Sequence, residues 1–132
     1  MQADTSRVRY SSNTLQRAQR ALSCSPFCLI LFGDMLRQSV SLSEIGGKNG
    51  LKNGYTKQKI SDTLVEAELV WLIQTGLLRR EVDGQGLTDS FRLTPLGRKI
   101  ITNYKKEGDN FPKPTPSNRL ANFTSRWLKL KI

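Results

Sequence analysis

The sequence predicts a mostly α-helical α+β fold with one small β-hairpin, and three observations carry that expectation. Apolar residues recur three and four apart in several stretches, as amphipathic helices require. Two β-prone runs, Leu77 to Val82 and Leu87 to Thr94, flank the turn residues Asp83-Gly84-Gln85-Gly86. Ser, Thr, Pro and Gly fall where helices start and stop. With 132 residues, 37% of them hydrophobic, the chain suits one compact domain with terminal arms. The expected division is a polar, disordered stretch at 1–11, a domain at 12–107 and a basic amphipathic arm at 108–132.

The elements follow in order. Asn13 is positioned to cap a first helix reaching about Leu22, with Leu15, Ala18 and Leu22 on one side. Ser25-Pro26 signals a second helix start, and the run to Gln38 is apolar nearly all round, which predicts the most buried helix. Ser41 and Ser43 open a brief helical attempt with Leu42 and Ile45 that stops at Gly46-Gly47. The stretch Gly47 to Gly54 contains Lys-Asn-Gly twice and reads as a flexible basic loop. Thr56 then opens the longest helix, to Thr75, with Ile60, Leu64, Ala67 and Trp71 as its apolar stripe, widened by Val70 and Leu72, and Gly76 as its left-handed terminator. After the hairpin, Thr94-Pro95 starts another helix lined by Leu96, Ile100 and Tyr104, in which Gly97 permits close approach of a neighbour. Beyond the stiff segment Phe111 to Pro116, Leu120, Phe123, Trp127 and Leu130 form an apolar stripe among Arg119, Arg126, Lys129 and Lys131.

Composition narrows the function. The chain has no His, which removes the commonest general acid/base and the His-paired nucleophiles. No catalytic residues, metal ligands or cofactors are therefore expected. Cys24 and Cys28 are the only thiols; they suggest neither a disulfide framework nor a complete zinc site. With no apolar leader in Met1 to Arg9 and no apolar run near membrane-spanning length, a cytoplasmic protein without membrane insertion is expected. The net charge of +10 predicts attraction to polyanions. The excess is concentrated in the first half and the tail, and the stretch 56–107 is nearly balanced.

The residues Gly76-Leu77-Leu78-Arg79-Arg80, followed by Phe91-Arg92-Leu93-Thr94-Pro95-Leu96-Gly97, resemble the pattern that closes the wing in MarR-type and PadR-type transcription regulators. That resemblance implies a winged helix-turn-helix fold with an extra N-terminal helix and a C-terminal arm. It further implies a dimer on double-stranded DNA, with the helix after Thr56 in the major groove. Lys57, Gln58, Lys59 and Ser61 are then the groove contacts, and Arg79, Arg80 and Arg92 the wing contacts. Lys48 and Lys52 would add phosphate contacts from the loop. Acidic neighbours leave a second reading open: cross-strand pairing of Arg80 or Arg92 with Asp89, in a module that binds protein. In both readings Leu120, Phe123 and Trp127 are expected to contact a dimer partner, another protein or the domain's own core, with RNA as a third ligand class.

Overall fold

The computed structural model describes residues 11–106, and within them six helices surround a three-stranded antiparallel sheet. Helix α1 spans Ser12–Cys24. Its cap is Ser11 rather than Asn13, because the Ser11 side chain accepts from the Thr14 N–H at 3.1 Å. Ala18, Ala21 and Leu22 form its buried side.

Helix α2 is shorter than the sequence suggests, Leu29–Met35. Pro26 does not open it. Phe27 instead bridges Thr56 in an isolated β-pair, and the Cys28 N–H donates to the Tyr55 carbonyl at 2.8 Å. This pairing holds residues 27 and 28 extended until the helix starts. Leu31, Phe32 and Met35 are fully covered, but Ile30 is 57% exposed, so the helix is not buried all round.

Strand β1, Val40–Ser41, leads directly into helix α3, Leu42–Ile45. The Glu44 carboxylate reaches back to accept from the Ser41 N–H at 2.9 Å, half of a capping box. Next, where a flexible loop is expected, helix α4 spans Gly47–Asn53. The two asparagines of the repeated Lys-Asn-Gly explain it. Four apart on one helical side, Asn49 and Asn53 donate to the carbonyls of Ser43 and Glu44, each at 3.0 Å. Gly50 lies so close to the Ile45 carbonyl that no side chain fits there, and Gly54 closes the helix at φ 78°.

Helix α5, Asp62–Gln74, starts six residues later than Thr56. The segment before it is already engaged in backbone pairing: Thr56 with Phe27, and the Ile60 carbonyl with the Gly47 N–H at 2.7 Å. Its buried stripe is Val65, Leu69 and Leu72 together with Trp71. Of the expected stripe Trp71 and the widening Leu72 are buried; Leu64 is 51% exposed. The run 69–73 is apolar at every position, so spacing alone leaves several stripes equally good, and packing selects one.

The hairpin matches expectation to within a residue: β2 is Leu78–Asp83 and β3 is Gly86–Leu93, joined by Gly84-Gln85. Strand β3 is central, in the order β1-β3-β2, with Val40 opposite Phe91 and Leu78 opposite Leu93. A register shift between Arg80 and Val82 marks a bulge. Helix α6, Pro95–Lys106, buries Leu96, Ile100 and Tyr104 as expected. Thr94 ties its start to the rest: its hydroxyl donates to the Gly76 and Leu77 carbonyls and accepts from the Gly97 N–H. The core gathers Leu22, Phe32, Ile45, Leu69, Leu72, Leu77, Phe91 and Ile101 from every layer.

Candidate functional site

Two neighbouring surfaces of opposite charge flank the start of α5. From Leu42 to Ser61 the chain carries four lysines against one carboxylate. Lys48 and Lys52 stand one turn apart on α4, exposed, and Lys57 and Lys59 are exposed on the extended segment that runs into α5. Gln58 is exposed between them. The position of these residues differs from the sequence reading: Lys57, Gln58 and Lys59 precede the helix, and Lys48 and Lys52 sit on a helix. Ser61 has a structural task as the α5 cap, its side chain accepting from the Leu64 N–H at 3.3 Å.

From Asp62 to Leu93 the balance reverses, with six carboxylates and three arginines. Two of those arginines are engaged inside the domain. Arg80 lies 4.8 Å above the Phe91 ring, its side chain only 20% exposed, and meets Glu66 of α5 at 3.5 Å and Asp89 at 3.4 Å. Its guanidinium therefore ties the hairpin to α5. Arg92, on the other side of the sheet, donates to Glu81 at 2.9 Å. Arg79 is exposed opposite Arg92. Of the cross-strand pairings the sequence leaves open, Arg80 with Asp89 is present and the Arg92 partner is Glu81.

Three features escape the sequence reading. Leu64, Val82 and Leu87 are large apolar residues that are 51%, 58% and 74% exposed. Tyr55 donates its hydroxyl to Asp34 at 2.7 Å, and burial, followed by that carboxylate, pushes its pKa up to about 12. The Thr56 hydroxyl is buried without a hydrogen-bond partner. A hydroxyl next to Lys57 gives no sign of such burial; the Phe27 pairing reveals it.

Among the described residues, no group of three or more Cys, Asp and Glu side chains is placed to hold a metal ion, and Cys24 and Cys28 form no disulfide. No helix among them is long and apolar enough to cross a membrane. Leu120, Phe123 and Trp127 lie outside the described residues, as do residues 1–10.

These surfaces define an α+β domain in which a lysine-lined helix junction leads into the acid-bearing helix α5, with a charge-balanced hairpin packed against it. The chain belongs to the Npun_F0494-like family, whose model matches residues 8–126. No similar curated protein and no similar solved structure is found.

Proposed function

We propose that this domain is a winged helix-turn-helix that binds double-stranded DNA, as a dimer in transcription regulation, and that it grips the duplex through phosphates. The fold reading is supported by the order α2, β1, α3–α4, α5, hairpin, α6, by the strand order β1-β3-β2, and by the packing of β2 against α5, as a wing would require. The observation that carries the ligand is the lysine quartet, Lys48, Lys52, Lys57 and Lys59, exposed around the α4–α5 junction with no ion pair to any described residue. Lysine ammonium groups on short, fixed elements suit phosphate oxygens. Arg79 is the remaining cation of the wing.

Fluorescence anisotropy with a random duplex tests the reading. Four phosphate contacts give a log–log salt slope near about −3.6. Replacing Lys48 and Lys52 by Gln should reduce the slope by about 2 and weaken binding to all duplexes alike. Absence of binding to any duplex at low salt ends the proposal.

A second reading, a winged-helix adaptor that binds protein, is favoured by the apolar Leu64, Val82 and Leu87 on the acidic side. A stoichiometric partner retained after nuclease treatment, with no duplex binding by the pure protein, would select it.

A further inference from the structure

We infer that the side of the wing facing α5 is a docking surface for the chain's own basic segment, residues 119–131. This inference is independent of DNA binding.

The surface is built by the pairing of β2 with β3. Phe91 faces Arg80 and Leu87 faces Val82 across the bulge, so Leu93, Phe91 and Leu87 line one side of the sheet, with Asp89 reaching Arg80. The first two are in the core, Asp89 pairs with Arg80, and Leu87 continues the row into water beside Val82, its register partner. Glu66, which meets Arg80 at 3.5 Å, brings α5 against the same row. The result is an apolar ledge of Val82 and Leu87, with Asp89 and Glu66 beside the row. Val82 and Leu87 adjoin and are 58% and 74% exposed, so an apolar segment laid over them would remove apolar area from water.

Chemistry selects the occupant. After Asp109 the sequence has no carboxylate, and between 119 and 131 it has four cations interleaved with Leu120, Phe123, Trp127 and Leu130. An apolar, purely cationic segment complements an apolar ledge beside which Asp89 stays 76% exposed and Glu66 and Asp89 outnumber the one arginine they share, in a protein whose overall charge is +10. Length allows it as well. Helix α6 ends at Lys106, and the residues from 107 to 118, three of them proline, span up to about 37 Å when extended at about 3.1 Å each. A domain of about a hundred residues has a radius of gyration of only about 13 Å. Tethering also gives this segment a high effective concentration that a separate molecule lacks.

Trp127 reports the contact in the full chain, its signal taken as the difference between the wild type and Trp127→Phe. Acrylamide should quench Trp127 several-fold less than free tryptophan. In a Val82→Lys/Leu87→Lys double variant, both positions being exposed, quenching should rise to the free value while circular dichroism and the melting temperature stay unchanged. Ile30→Lys, at an equally exposed position on α2, should leave quenching as in the wild type. The inference is overturned if Trp127 is fully quenched in the wild type, if it stays protected in the double variant, or if its protection disappears on dilution, which would assign the ledge to a second copy of the chain.

Discussion

At the scale of single residues, the fold depends on places where one atom too many or one partner too few has a calculable effect. Gly97 is the sharpest. A Cβ there would overlap the Leu77 carbonyl oxygen, a backbone atom that Thr94 holds in place, so neither side can yield cheaply. Gly97→Ala should therefore cost about 2 kcal/mol, read as a fall in denaturant midpoint at constant slope. Thr56 is the converse case. Its hydroxyl is buried without a partner, so the isosteric Thr56→Val should stabilise by about 1 kcal/mol in the same measurement. Tyr55 adds a pH dependence. Its phenol ionises at 10.0 when unperturbed and at about 12 in the folded chain. The native state thus holds the extra proton through that interval, and the stability it contributes is complete below pH 10 and lost as pH rises through about 12. Tyr55→Phe should remove this alkaline loss, read as unfolding free energy against pH.

At the scale of elements, the cap of α5 decides where the candidate site ends and the helix begins. Ser61→Ala removes the acceptor for the Leu64 N–H and should cost about 1 kcal/mol by thermal melting. The same region shows what could be read in the sequence. The hairpin, the Thr94-Pro95 helix start, the Gly76 terminator and the Gly97 close approach were all legible, because each is dictated by residues within a few positions of one another. Helix α4 and the late start of α5 were not. The groups that stabilise them come from a distance in sequence: the carbonyls of Ser43 and Glu44 for Asn49 and Asn53, and Phe27 for Thr56. Propensity makes Lys-Asn-Gly a loop, and tertiary hydrogen bonds override it. For the site, the exposure of Lys48, Lys52, Lys57 and Lys59 was legible from their charge. The inward turn of Arg80 was only half so: Asp89 is its cross-strand neighbour, but Glu66 lies fourteen residues away on another element.

At the scale of the whole molecule, the two surfaces that meet at Ser61 and Asp62 carry opposite excess charge, and Asp62 stands on the boundary. Its carboxylate lies against Gly46, next to the lysine-bearing α4, and it also occupies the first turn of α5. These two positions assign it opposing effects. As an anion at a helix N-terminus it favours the fold by about 0.5 kcal/mol. As an anion beside the lysine quartet it repels an approaching phosphate by an amount that salt screens over about 10 Å at 0.1 M. Asp62→Asn should therefore lower the melting temperature slightly while raising duplex affinity a few-fold at low salt, with the gain fading as salt increases. If stability falls and affinity falls with it, the duplex does not approach along the α4–α5 junction, and the lysines there serve some other contact.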